Sequence, residues 1–291
     1  NCFEVVMSIR SCLLLVSLIL HSLVTIASSP SILHKSTNSY GSKWVYDQGG
    51  IRCLSFKEPS AESFQSCMVL NNPNLQLFDY TKMMLAALYI KPDPQKILFI
   101  GLGGATIPKA LMKLLPNVQI DVVEIDPEVI NIAEKYFSFT STNNVKIFAQ
   151  DGVDFVKKAK PETYDIVFLD VFDTDYIPPA FLTNEFTASL KKILTKTGIA
   201  CVNTFTQSKS HQLESELYLK TFGVIINLVS SGNRIIIASN DQLPSHSIIV
   251  QQAKKWQDSF REFGIGPDWL LGKFGLGYMK IVLPITHGFT I

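Results

Sequence analysis

From Lys96 onward, short apolar runs alternate with amphipathic segments, and this pattern constrains the fold more than any other feature of the chain. The runs Ile97 to Ile100, Gln119 to Glu124, Val145 to Ala149, Asp165 to Asp170 and Ile199 to Thr204 have the length and composition of strands. Between them, Ile107 to Leu115, Pro127 to Tyr136, Val153 to Ala159 and Thr183 to Leu194 carry apolar residues at helical spacing. Pro127 stands at a helix start, where a missing N–H leaves no bond unmade. Strands alternating with helices predict βα units around a mostly parallel sheet, because parallel neighbours need a long crossover that a helix supplies. Val224 to Val229 and Arg234 to Ser239, joined by Ser230-Ser231-Gly232-Asn233, predict an antiparallel hairpin at one edge.

The region upstream of this unit has a different texture. Lys43 to Tyr46, the turn Asp47-Gln48-Gly49-Gly50, Ile51 to Phe56 and a strand near Gln65 to Leu70 predict a small β lobe over residues 43–76. A nucleoside-binding α/β domain then occupies residues 77–240, opening with a helix from Asp79 to Tyr89. Residues 241–291 form a helical extension with an amphipathic stretch at Gln251 to Phe263. Residues 30–42, rich in Ser, Thr and Asn, read as a linker. Before it, Met7-Ser8-Ile9-Arg10 and the apolar run Cys12 to Ala27 have the anatomy of a signal peptide or anchor over residues 1–29, with small residues at Ala27, Ser28 and Ser29. The expectation is export, or membrane association through residues 11–27; without that segment's action the protein would be cytoplasmic.

At 291 residues and 47% hydrophobic, the chain can bury a substantial core. A formal net charge of +1 offers no basic excess for tracking a phosphate backbone, so a small-molecule substrate is expected and a nucleic acid is not. The five cysteines form no C-x-x-C pair and have no histidine at metal-ligand spacing, which argues against a metal site. Cys53 and Cys67 could pair in an oxidising compartment, but buried free thiols are the expectation.

In an open parallel sheet, ligands sit beyond the carboxyl ends of the strands, and the informative residues fall there. Phe99 to Thr106 reads FIGLGGAT: Gly101, Gly103 and Gly104 permit a tight turn and let backbone N–H groups approach a ligand. Glu124 ends the second strand twenty-three residues after Gly101, the spacing at which a carboxylate accepts from both hydroxyls of a ribose. Asp126, before Pro127, suits a helix cap. Asp151-Gly152 follows the third strand and places a carboxylate where it could either meet an adenine amino group or cap the next helix. The turn does not match G-x-x-x-x-G-K-S/T, which excludes a P-loop; a nicotinamide dinucleotide stays open, although the G-x-G-x-x-G spacing is incomplete. Asp170, Asp173 and Asp175 beside Tyr176 form an acidic mouth after the fourth strand that could bind a cation or take up a proton.

Together these residues resemble the polyamine aminopropyltransferase family, the spermidine synthases and their relatives, in a divergent branch, over about Tyr40 to Ser239. The resemblance implies a methyltransferase-like Rossmann fold preceded by a small β-stranded lobe. It also implies a donor substrate of the S-adenosylmethionine type, decarboxylated or intact, with no prosthetic group, a small-molecule amine or other nucleophile as acceptor, and a homodimer. By position, Glu124 is similar to the ribose-binding acid, Asp151 to the adenine contact and Gln65 to the glutamine that closes over the nucleoside; Gly101, Gly103, Gly104 and Gly152 complete the donor site. Asp170 is similar to the residue that helps deprotonate the attacking amine, Asp173 to a diamine-binding acid with a catalytic share, and Tyr80 to the tyrosine of a Y-H-E motif, with Tyr176 beside the acceptor. Where the family's turn reads GGGDGG, its aspartate, implied to hold the aminopropyl ammonium, is replaced by Gly104. His-Glu after the tyrosine is replaced by Thr81-Lys82, putting a base near the diamine channel, where it would repel a cation. Three readings follow: aminopropyl transfer, methyl transfer from intact S-adenosylmethionine, and non-catalytic binding of a nucleoside or polyamine.

Overall fold

The computed structural model describes residues 29–60, 64–172 and 177–275. The apolar run of residues 11–27 lies outside them. Among the described residues, no helix is long and apolar enough to cross a membrane.

Seven strands form the main sheet: β5 (Lys96–Ile100), β6 (Gln119–Glu124), β7 (Val145–Ala149), β8 (Tyr164–Leu169), β9 (Leu194–Phe205), β10 (Ile225–Val229) and β11 (Asn233–Ser239). Their spatial order is β10-β11-β9-β8-β5-β6-β7. The five strands from β9 to β7 run parallel, while β11 pairs antiparallel with β9 and β10 antiparallel with β11. The α/β class, the parallel centre and the edge hairpin thus match the pattern read from the sequence. The chain leaves β5 toward β6 and β7, then returns to lay β8 on the other side of β5. The strand order therefore reverses between β5 and β8, where an open sheet of this kind leaves a crevice.

Both faces of the sheet are covered, which explains the near-continuous apolar runs. Ile97, Phe99, Val122, Phe168 and Cys201 point to one face. They pack under α1 (Asp79–Leu85), α2 (Ala87–Ile90), α3 (Thr106–Leu114), α4 (Pro127–Phe137), α8 (His246–Arg261) and α9 (Pro267–Lys273). Leu98, Ile100, Val123, Val167, Leu169 and Val202 point to the other face, beneath α5 (Gly152–Lys158), α6 (Asn184–Ile193) and α7 (His211–Phe222). Alternate residues of one strand thus belong to different cores, as the two-residue period of a strand requires.

A second sheet of four antiparallel strands forms the lobe: β1 (Ser31–Asn38), β2 (Gly41–Gln48), β3 (Ile51–Ser55) and β4 (Ser66–Val69). Two expectations are corrected here. Residues 30–42 are not a linker, because Ser31–Asn38 pairs antiparallel with β2. The strand is an edge strand with mostly exposed, polar side chains, so it lacks the apolar alternation by which strands are read. Cys53 and Cys67 are not free thiols. The β3–β4 register sets them directly opposite each other, and they form a disulfide.

Polar contacts tie the lobe to α4. Asp126 caps α4 by accepting from the Glu128 N–H at 2.9 Å, and it also accepts from Asn38 and pairs with the buried Lys43. His34 meets Glu128 at 2.8 Å. At the other end of α4, Arg52 grips Asp47 with two nitrogens and donates to the Tyr136 carbonyl at 3.1 Å. A cation at a helix C-terminus is the favourable arrangement for the helix dipole.

Candidate active site

The glycine turn connects β5 to α3 and lies against the end of β8. Gly101 has φ +89°, and a Cβ there would fall 2.2 Å from the Asp170 carbonyl oxygen. Only glycine permits both the backbone angle and the contact. The Asp170 N–H in turn donates to the Ile100 carbonyl at 2.9 Å. The turn and the acid therefore flank the same crevice at the point where the sheet reverses.

Glu124 is buried at the end of the neighbouring strand and is tied to the same turn. One carboxylate oxygen accepts from the Leu102 N–H at 2.9 Å and the other from the Asp126 N–H at 3.0 Å. Burial pushes its carboxyl above the usual carboxylate range, and the backbone N–H donors pull it back toward the charged form. Each oxygen keeps a lone pair, so the carboxylate can hold the turn and still accept from a ligand's hydroxyls.

The start of β4 crosses above the turn. The Ser66 side chain lies where Cβ atoms on Gly103 and Gly104 would point, at 3.5 Å and 2.7 Å respectively. Ser66 also hydrogen-bonds Thr106 at 3.2 Å. Gln65, one residue earlier, is partly exposed at the rim of this contact. Neither Ser66 nor Thr106 carries a motif that would have singled it out in the sequence.

Beyond the end of β8, the Asp170 carboxylate accepts from the Asn203 side-chain amide at 2.9 Å. Burial raises its pKa from 3.8 to about 6, against the lowering effect of that hydrogen bond. Tyr80, on α1, stacks on Phe78 at 5.9 Å, and burial together with the Asp170 charge pushes its hydroxyl well above the ordinary tyrosine range. Cys201, on β9, is raised by burial and by the same carboxylate. Tyr80, Cys201 and Asp170 thus form one electrostatic neighbourhood. Asp173 and Tyr176 lie outside the described residues.

Other residues singled out in the sequence have protein partners in the fold. Gly152 makes room for packing: a Cβ there would fall 2.5 Å from Ile100 and 3.3 Å from Phe181. Asp151 caps α5, accepting from the Asp154 N–H at 2.9 Å through one carboxylate oxygen. Lys82 is held 3.6 Å from Asp79 and 5.5 Å from the centre of the Trp269 ring, so its charge is partnered; Thr81 donates to the Phe78 carbonyl at 2.7 Å.

Residues 77–231 match the Spermine/spermidine synthase domain. A polyamine aminopropyltransferase of Vibrio vulnificus is 36% identical over 266 residues, covering 89% of this chain and 89% of that protein. The chain belongs to the spermine/spermidine synthase family. As a member of that family it is a transferase. Among solved structures, a probable spermidine synthase from Corynebacterium glutamicum superimposes with a TM-score of 0.65 at 19% identity, over 86% of this chain and 95% of that one. Human Methyltransferase-like protein 13 in complex with SAH matches with a TM-score of 0.56 at 24% identity, over 63% of this chain and 93% of that one. Both likenesses concern the fold.

Proposed function

We propose that this protein transfers the aminopropyl group of decarboxylated S-adenosylmethionine to a small amine. The observation that carries the reading is the contact of Gly101 with Asp170. It joins a nucleoside cradle, formed by the turn and Glu124, to a partly desolvated carboxylate that is ionised at neutral pH. In this reading Glu124 receives the ribose hydroxyls, the backbone N–H groups of the turn through Gly101, Gly103 and Gly104, packed by Asp170 and Ser66, line the donor, and Gln65 closes over it from the lobe. Asp151 faces the adenine with the oxygen its cap leaves free. Asp170 and Tyr80 orient the acceptor amine, with Asp173 and Tyr176 completing the acceptor end.

The step itself is a displacement. The amine lone pair forms a bond to the carbon next to the sulfonium, the carbon–sulfur bond breaks with its electrons left on sulfur, and methylthioadenosine departs neutral. Asp170 accepts the proton lost from nitrogen. The sulfonium is already an activated leaving group, so the protein's contribution is alignment and a base with a suitable pKa.

One observation favours a second reading. Gly104 carries no acid, and Ser66 closes over the position, so nothing there repels the carboxylate of intact S-adenosylmethionine; methyl transfer would then be the reaction. Incubation with each donor plus putrescine, followed by mass spectrometry, separates the two. The aminopropyl reading expects methylthioadenosine and spermidine from the decarboxylated donor. S-adenosylhomocysteine formed only from the intact donor would replace it with the methyl-transfer reading.

A further inference from the structure

The end of the sheet carries a line of three side chains that crosses three neighbouring strands. Asn233, at the start of β11, donates from its amide nitrogen to the Asn203 side-chain oxygen at 3.2 Å. Asn203, on β9, donates in turn to the Asp170 carboxylate at 2.9 Å, just past the end of β8. Asn203 is 1% exposed, so it has no water to fall back on and its amide must find protein partners. The two ends of that amide differ chemically. If it were turned over, its oxygen would face the carboxylate and its NH2 would face the NH2 of Asn233, setting acceptor against acceptor and donor against donor. The carboxylate, which can only accept, therefore selects the orientation in which Asn203 presents N–H to Asp170, and Asn233 donates to the amide oxygen that this orientation leaves over.

We propose that Asn203, braced by the hydrogen bond from Asn233, is a positioning residue for Asp170: it fixes the direction of the carboxylate and favours its charged form. The inference rests on the role of Asp170 as the proton acceptor proposed above. The other titratable groups facing Asp170 are Tyr80 from α1 and Cys201 from β9, and both are held neutral by burial and by the Asp170 charge. Neither supplies positive charge, so among the described residues the amide is the group that offsets the desolvation of the carboxylate. Burial alone would push a carboxylate further toward its protonated form, in which it can no longer take up a proton at neutral pH.

The test is the pH profile of kcat/KM for methylthioadenosine release from decarboxylated S-adenosylmethionine and putrescine, measured on the full chain. Asn203→Ala is expected to move the midpoint of the acid limb upward by about one pH unit, with the plateau at high pH retained within about threefold. Asn203→Asp, which keeps the shape but sets an acceptor against Asp170, is expected to move it further. Asn233→Ala leaves Asn203 in place and is expected to give a smaller shift of the same sign. A merely structural role for the amides would lower the melting temperature and the plateau without moving the limb. Should Asn203→Ala fail to fold, the Asn233→Ala profile decides. An acid limb unmoved in every folded variant overturns the proposal. Asp170→Asn separates this failure from that of the underlying reading. If it keeps the wild-type rate and profile, Asp170 is not the proton acceptor and both fall. If it removes turnover while the amide variants leave the limb in place, only the positioning role falls.

Discussion

Restoring an aspartate at Gly104 is the most direct way to ask whether the turn of this protein has lost an acid or has been rebuilt around its absence. The φ at Gly104 is not in the left-handed region, so the backbone itself admits an L-residue; space is the obstacle. A Cβ would lie 2.7 Å from the Ser66 hydroxyl and 3.0 Å from the Phe137 ring, and the carboxylate must extend beyond it. Phe137 is fully buried and Ser66 sits on a paired strand, so neither yields without moving its neighbours. Overpacking of this kind costs about 1–3 kcal/mol. For a domain of this size that corresponds to a fall in melting temperature of about 2–12 °C. We therefore expect Gly104→Asp to melt lower and to bind decarboxylated S-adenosylmethionine no more tightly than the wild type, as read by differential scanning and titration calorimetry. Adding Ser66→Gly removes the nearer obstacle and should recover part of the lost stability. A Gly104→Asp variant with unchanged melting temperature and tighter donor binding would refute the packing argument.

Three further outcomes are expected. Glu214 and Arg234 form a buried ion pair 2.5 Å apart, with Ser208 and Ser215 satisfying further atoms; Glu214→Gln leaves the guanidinium unpaired and should cost about 3–5 kcal/mol, seen as a fall of about 6–20 °C in melting temperature. Asp170 is protonated more readily in the folded chain, about 6 against 3.8, so stability is fully present below pH 3.8 and is lost as pH rises through 6. Asp170→Asn should accordingly melt higher than the wild type at pH 7.5 and level with it at pH 3.5, and an equal difference at both would contradict the shift. The Cys53–Cys67 disulfide closes a separation of 14 residues, and Cys53→Ser should cost about 3 kcal/mol, with the wild type in reductant melting at the same temperature as the variant.

The sheet was legible because its evidence is local. An apolar run of five or six residues that ends in glycine or an acid needs no knowledge of its neighbours, and β5, β6 and β7 emerge within a residue of their expected bounds. The same holds for Gly101, Glu124 and Asp170, which stand at strand ends and so are placed by the sheet itself. What stayed hidden depends on partners far along the chain. Helix α7 has no clean apolar stripe, since Glu214 is buried on its inner face while Leu213 is exposed, and the acid can be inside only because Arg234 arrives from β11. Strand β1 has no fully buried side chain on either face and is held by pairing with β2 and by His34 and Asn38 reaching α4.

The glycines show that one residue type after a strand can meet different packing demands. Gly101 and Gly152 both follow strands, and both read as donor-binding residues. In the fold, Gly101 brings the turn onto Asp170, whereas Gly152 lets the start of α5 settle against Ile100 and Phe181. Gly104 does a third thing by giving β4 a place to rest. Each absence of a side chain is filled by a different neighbour: a backbone carbonyl, a core methyl and a serine hydroxyl. The polar line Asn233–Asn203–Asp170 follows the same logic, since its members are 30 and 33 residues apart and meet because β8, β9 and β11 are adjacent in the sheet. A substitution that leaves the strand order intact but breaks this line should therefore change the acid without changing the fold.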